Sequence, residues 1–381
     1  MPEPAQTDVC IVGLKCYDLL TGAASPRYLG GIEKVLVTYA RGLRDAGLSV
    51  SVITYDHDDG TPEEVDGIKI FKAFEPTAGL RYLRTVHPRL TGLRRAMAGA
   101  NARTYVYMGA GVETGLVAFA AKRLLRGQRR FVLLLASDGD CDEKLTTLRA
   151  GYEKKIYRWG VQAADAVVSQ TTRQQEMLKA NLGKDSSIIS MPLKSDYEWS
   201  ADAAAARRDR QQVIWIGRIV EIKRLEWLLD VAEKLPEIQF NLIGDANTAS
   251  DYGTAIKARA AGIANVAQLG KVDDADLARQ YREATMMIST SSLEGFPVTF
   301  LEAWAQGIPV VTSFDPDNLV ATHALGAVSD SPEGLAAQLQ DVSSELSDYV
   351  KTSRRCYDFF QANYTLDAVI PRLMAELRTT S

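Results

Sequence analysis

The chain has 381 residues, 46% of them hydrophobic, which is too long for one ordinary core and predicts two domains. A net charge of −4 disfavours nucleic acid as a partner. The four cysteines, Cys10, Cys16, Cys141 and Cys356, have neither metal-ligand spacing nor the pattern of a disulfide framework, which fits a reducing compartment. The start, MPEPAQTD, lacks the basic and apolar segments of a leader, and no apolar run approaches the roughly 20 residues of a membrane span. A cytoplasmic protein is therefore expected.

Val9–Gly13 predicts a short buried strand, and the loop after it ends in Gly30-Gly31. A helix over Ile32–Ala46 follows, with Ile32, Leu36, Tyr39 and Leu43 on one face, then a strand over Leu48–Thr54. This βαβ opening predicts a parallel, doubly wound sheet. The G-x-G-x-x-G fingerprint is absent, which disfavours a nicotinamide or flavin enzyme. Gly30 and Gly31 stand just before a helix, where bare backbone can approach a phosphate; an ordinary turn fits them equally. From Arg81 to Arg130 every charged residue but Glu113 is basic, with apolar residues interleaved. Such a stretch suits either solvated helix faces or an anionic membrane surface. Tyr105–Met108 and Phe131–Leu135 predict strands. The second runs into Ser137, Asp138 and Asp140, at a strand end of the kind that lines binding crevices in open α/β sheets. Asp138 is the candidate polar contact to sugar or acceptor, with a cation site or a plain Asp-Gly turn as alternatives. A helix over Tyr152–Ala164, a strand over Ala166–Ser169 and a capped helix begun at Thr171 or Thr172 complete this half. The polar, Ala-rich stretch Ser195–Arg210 reads as a linker.

The second half starts with a strand over Gln212–Ile216 and the turn GRIVEIKR. Arg218 and Lys223 straddle this turn into a helix over Leu225–Leu235. Two fixed cations there fit a diphosphate, with Arg224 as a stand-in; two surface cations are the bland alternative. Strands over Phe240–Gly244, Val266–Gly270 and Met286–Ser289 lead to STSSLEGFPVTFLEAWAQGIPVVT. Gly295 allows a bend, Pro297 suits a first helical position, Val298–Gln306 predicts a helix and Gly307 ends it. The N–H groups of Phe296, Val298 and Thr299 would then form an anion site at the helix start. Glu294 stands at its mouth and Glu302 further along the helix. Carboxylates beside an anion hole suit a ligand that carries both phosphates and hydroxyls, a nucleotide sugar; a surface helix with solvated acids is the bland alternative. Helices over Pro332–Leu346, Asp348–Asn363 and Asp367–Leu377 close the chain.

EGFPVTFLEAWAQGIPVV resembles the E-x7-E signature of the retaining glycosyltransferases of family 4, departing at Pro297, where Gly is commoner, and at Thr299. GGIEKVLVTYARGLRDAGLSVSVIT, ADAVVSQTTRQQEML and GKVDDADL are similar to further parts of that family. The resemblance implies the α/β GT-B fold, two Rossmann-like doubly wound domains facing across a cleft. Residues 1–194 would bind the acceptor, 195–210 link, 211–363 bind the nucleotide sugar, and 364–381 cross back onto the first domain. It implies a metal-independent, cofactor-free transferase with a donor of UDP, GDP or ADP type. The acceptor would be a glycan, a lipid-linked or a small molecule, in bacterial cell-surface polysaccharide or glycoconjugate synthesis. In that family Arg218 and Lys223 would bind the pyrophosphate, Glu294 the sugar, Glu302 the ribose, and backbone around Val272 the base. The family often carries a His at the strand end occupied here by Asp138. The other readings are an epimerase or phosphorylase of the same fold, or a binding subunit without catalysis.

Overall fold

The central runs read as strands, such as Val9–Gly13, Val50–Thr54 within Leu48–Thr54, and Met286–Ser289, are buried on both faces, as parallel strands covered by helices must be, whereas Val266–Gly270 is not. The computed structural model describes residues 7–378 except 24, 25, 29, 58–62, 81, 82, 126–128, 246–249 and 293. Arg81 and Arg126 of the basic stretch, and Leu293 of the loop before Glu294, thus lie outside the described residues. Two units emerge, Met1–Lys194 with Leu366–Ser381, and Ser195–Thr365.

The first unit contains β1 (Thr7–Val12), β2 (Val50–Thr54), β3 (Glu64–Val65), β4 (Ile68–Lys72), β5 (Ala102–Met108), β6 (Arg130–Leu134), β7 (Ala166–Ser169) and β8 (Ser187–Ile188). Their order is β3-β4-β2-β1-β5-β6-β7-β8, parallel except for the antiparallel β3–β4 pair. The second contains β9 (Gln212–Ile216), β10 (Gln239–Ile243), β11 (Val266–Gly270), β12 (Met286–Ser289), β13 (Val310–Thr312) and β14 (Gly326–Val328). Its order is β11-β10-β9-β12-β13-β14, all parallel. The expected pair of doubly wound sheets is therefore present. In each, the strand order reverses beside the first strand: between β1 and β5, and between β9 and β12. Ligands of such sheets bind outside the carboxyl ends of the strands at these switch points.

Bulky, fully buried side chains fill both cores, Tyr105, Phe131 and Tyr157 in the first and Phe240, Phe300 and Trp304 in the second. The terminal helix Leu366–Arg378 joins the first unit by lying on the helix Gly31–Asp45. A Cβ on Gly42 would sit 2.7 Å from Ile370 and Leu366, so the bare glycine permits that approach. Thr104 and Arg130 also donate to the carbonyls of Leu377 and Glu376, at 3.3 and 3.2 Å.

Three local expectations change. Ile32 is 37% exposed, because it stands in the first helical turn above Gly109; the buried face begins at Val35. Pro297 is the N-cap rather than the first helical residue, and the helix is Val298–Ala305. Residues 195–210 are more than a spacer. They hold the helix Ala201–Arg208, whose buried Arg207 donates to the Gln306 carbonyl at 2.6 Å, and Trp199 donates to Ser353 at 2.9 Å. Among the described residues no helix is long and apolar enough to cross a membrane.

Candidate active site

At the second unit's switch point the turn after β9 and the loop after β12 are laced together. Thr290 Oγ1 donates to the Lys223 carbonyl at 2.6 Å, and the Ser292 N–H and hydroxyl donate to the Ile222 carbonyl at 2.9 and 3.1 Å. This lacing brings Lys223 Nζ onto Glu294 Oε1 as an ion pair, with both side chains about one-fifth exposed. Ser291 Oγ donates to the same carboxylate oxygen at 2.7 Å. Arg218 is exposed, and its side chain has no hydrogen bond or ion pair among the described residues.

The strand ends beside Arg218 meet through bare backbone. Gly217 N–H donates to the Ile243 carbonyl at 3.0 Å, Gly244 N–H to the Gly270 carbonyl at 2.8 Å, and Ile219 N–H to the Asp245 carbonyl at 3.1 Å. Gly270 has φ +66°, and Val272 lies half-buried two residues beyond it. Asp273 then caps the helix Asp274–Glu283, accepting from the Asp276 N–H at 2.8 Å.

The chain bends at Gly295 and Phe296 before the helix Val298–Ala305. The N–H groups of Phe296, Val298 and Thr299 find no acceptor among the described residues, whereas the Phe300 N–H already bonds the Pro297 carbonyl at 3.0 Å. A helix start with three free N–H groups attracts anions. The side chain of Phe296 turns away into a cluster with Trp304 and Tyr364, which anchors the bend. Glu302 accepts from Tyr281 Oη at 2.6 Å. Burial, reinforced by Glu302, holds the Tyr281 phenol well above its ordinary range, so it stays a neutral donor. Sequence reasoning missed Tyr281 and Ser291. Tyr281 lies outside every motif and is found only once the fold brings its helix to Glu302, whereas Ser291 stands in the STSSLEG stretch itself, three residues before Glu294.

The first unit presents different chemistry at its switch point. Gly30 has extended backbone, which any residue adopts. A Cβ there would meet only the carboxylate end of Glu33, a flexible side chain that can swing aside. Gly31 is the exposed first residue of its helix. After β5, Gly111 leaves room for Glu113 Oε2 and Tyr107 Oη, which a Cβ would meet at 2.9 and 3.5 Å. Glu113 pairs with Arg89 at 3.2 Å. Tyr28, Tyr55 and His57 form a triangle of rings with centroids 5.9–6.2 Å apart. Burial, reinforced by Glu113, pushes the Tyr55 phenol up to about 12.

Asp138 is buried after β6 and pairs with Arg173 at 3.0 Å, so it is a held carboxylate rather than a bare one. Its neighbours point elsewhere. Asp140 accepts from the N–H groups of Ala136 and Ser137, and Asp142 from that of Thr146. Among the described residues no three His, Cys, Asp or Glu side chains converge as a metal site. Much of the basic stretch is engaged locally. Besides Arg89, Lys122 pairs with Asp165, and Arg95 and Arg129 donate to the carbonyls of Ala73 and Ala102, both at 3.1 Å.

Two sequence families match the chain. "Glycosyl transferase 4-like domain" covers residues 30–190, and "Glycosyl transferases group 1" covers residues 210–345. The D-inositol 3-phosphate glycosyltransferase of Mycobacteroides abscessus is 30% identical over 190 residues, 46% of this chain and 42% of that protein. The mannosylfructose-phosphate synthase of Agrobacterium fabrum is 28% identical over 186 residues, 43% of this chain and 40% of that protein. The matched segment thus spans less than half the length of each relative. Among solved structures, sucrose-phosphate synthase of Thermosynechococcus elongatus superposes with a TM-score of 0.75 at 17% identity, covering 98% of both chains. Anabaena HepE, solved with UDP and glucose, superposes with a TM-score of 0.73 at 15% identity, covering 98% of this chain and all of that one. At such identities these two likenesses speak for the fold alone. The chain belongs to the GT-B glycosyltransferases, as its sequence resemblance implies, its first unit being a glycosyl transferase 4-like domain and its second a group 1 domain.

Proposed function

We propose that the chain transfers a glycosyl group from a nucleoside diphosphate sugar to an acceptor hydroxyl, with retention of configuration and without a metal ion. The observation that carries this reading is the grouping at the β9–β12 switch point. There stand an exposed Arg218, the Lys223–Glu294 pair and three free N–H groups. The diphosphate would take Arg218, Lys223 and the N–H groups of Phe296, Val298 and Thr299. Glu294 would accept from the sugar's hydroxyls, Glu302 from the ribose, and backbone at Val272 would meet the base. A donor of UDP type is in keeping with HepE, whose structure holds UDP and glucose.

In the chemical step the bond from the anomeric carbon to the diphosphate oxygen breaks. The acceptor oxygen attacks from the same face, and its proton passes to the departing phosphate oxygen. Negative charge grows on the diphosphate, where the two cations and the helix start stabilise it, usually the largest single contribution to such catalysis. The acceptor would lie on the first unit. Tyr28, Tyr55 and His57 offer ring faces, while Glu113, Tyr107 and Asp138 offer polar contacts. Leu83 and Val86, both 59% exposed, stand beside exposed Arg84 and support contact with an anionic membrane bearing a lipid-linked acceptor. Failure to co-sediment with phosphatidylglycerol vesicles would remove that last part.

The test of the reaction type is the product. Donor and acceptor pools are incubated with EDTA, and the new linkage is read by proton NMR. Transfer that survives EDTA and keeps the donor's anomeric configuration is expected. Inversion, or transfer that EDTA abolishes, would overturn the mechanism.

A further inference from the structure

Arg224 occupies a backbone position that does not suit it. It lies between the turn Glu221–Lys223 and the helix Leu225–Lys234 with φ +44° and ψ +53°, the left-handed region that favours glycine. Its side chain explains why an arginine stands there. Nε donates to the Thr290 carbonyl at 2.9 Å, while Nη2 donates to the Ser291 carbonyl at 3.2 Å and to Ser313 Oγ at 2.8 Å. The guanidinium also stacks on Trp227, 3.8 Å from the ring centroid. One planar fork thereby spans the ends of β12 and β13 from the turn after β9. It grips the backbone three and four residues before Glu294 and follows Lys223 directly in sequence. Nε and Nη2 of the fork already serve protein acceptors, which leaves only Nη1 for the diphosphate role the sequence suggested.

We propose that Arg224 is a positioning residue that holds the Thr290–Ser291 backbone, and through it Glu294, in register for the sugar end of the donor. The proposal rests on the donor reading above. Arg224→Gly separates the side chain from the fold, since glycine relieves the backbone strain as it deletes the fork. The variant should melt within a few degrees of the wild type. Its UDP-glucose affinity should fall about tenfold, while affinity for UDP changes less than about threefold, because misplacement acts on the sugar contacts. Amide exchange in a peptide spanning residues 290–297 should rise, and added guanidinium should restore UDP-glucose binding. Arg224→Lys should not restore it, because an ammonium cannot reproduce the fork.

Wild-type UDP-glucose affinity in Arg224→Gly, or equal weakening of UDP and UDP-glucose, would overturn the positioning role. Glu294→Ala is the control. If it leaves UDP-glucose no weaker relative to UDP, or if the wild type binds none of UDP, GDP and ADP, the donor reading fails as well; a wild type that prefers GDP or ADP moves both comparisons to that nucleotide and its glucose conjugate. If Glu294→Ala weakens UDP-glucose and Arg224→Gly does not, only the latch is lost.

Discussion

Gly244→Ala is expected to destabilise the second unit by about 4 kcal/mol, adding the strain of a disfavoured backbone to overpacking. Gly244 has φ +132°, and a Cβ there would lie 1.8 Å from the carbonyl oxygen of Gly217, with no flexible side chain to give way. The two glycines let the ends of β9 and β10 touch, so the clash can be relieved only by parting the strands. For a unit of this size the midpoint should fall by about 8–16 °C. Differential scanning calorimetry reads this directly. Gly262→Ala is the internal control, since its Cβ would meet only the Arg259 carbonyl, at an ordinary 3.4 Å. Equal midpoints for the two variants would contradict the close approach of Gly217 and Gly244. Because Gly217 adjoins Arg218, the folded fraction of Gly244→Ala should also bind nucleotide poorly.

The second large effect is on function. Replacing both Arg218 and Lys223 by Ala removes the two cations assigned to the diphosphate. Each charge-assisted bond contributes about 1.5–3 kcal/mol, so the pair accounts for about 4 kcal/mol, or roughly a thousandfold in donor affinity. The effect on turnover should be at least as large, since charge on the leaving group grows toward the transition state. The two positions should behave differently when changed singly. Arg218 has no side-chain partner to strand among the described residues, so Arg218→Ala should leave the melting temperature unchanged. Lys223→Ala strips Glu294 of its cation and leaves a carboxylate held, among the described residues, by Ser291 alone. It should therefore lower stability slightly as well as activity. A steady-state assay with saturating acceptor distinguishes these contributions, and a double variant within tenfold of the wild type would refute the assignment.

The fold was legible because its signals are local. Val9–Gly13, Leu48–Thr54 and Met286–Ser289 are short apolar runs bounded by turn residues, and each is a buried strand. Thr171 caps its helix through the Gln174 N–H, as its residue type predicts. The candidate site was legible where one motif spans it, as at Glu294 to Thr299. It was illegible wherever a partner comes from a distant segment. Nothing near Glu302 announces Tyr281, and nothing near Asp138 announces Arg173. Arg224 misled for the same reason. Beside Lys223 it reads as a second cation for phosphate, and only the ends of β12 and β13 reveal that Nε and Nη2 of its fork are already used. The basic stretch was misleading in kind. Its charges look free in sequence, yet Arg89 and Arg129 turn to Glu113 and the Ala102 carbonyl within the stretch, and Arg95 and Lys122 to Ala73 and Asp165 outside it.

The central claim is that the β9–β12 switch point binds a nucleoside diphosphate through Arg218 and Lys223. Isothermal titration of the wild type and of the Arg218→Ala, Lys223→Ala double variant with UDP, GDP and ADP, each with EDTA, tests it most directly. The account predicts that one of the three binds the wild type regardless of EDTA and binds the double variant roughly a thousandfold more weakly. Equal affinity for both proteins, or no binding of any of the three to the wild type, would contradict it.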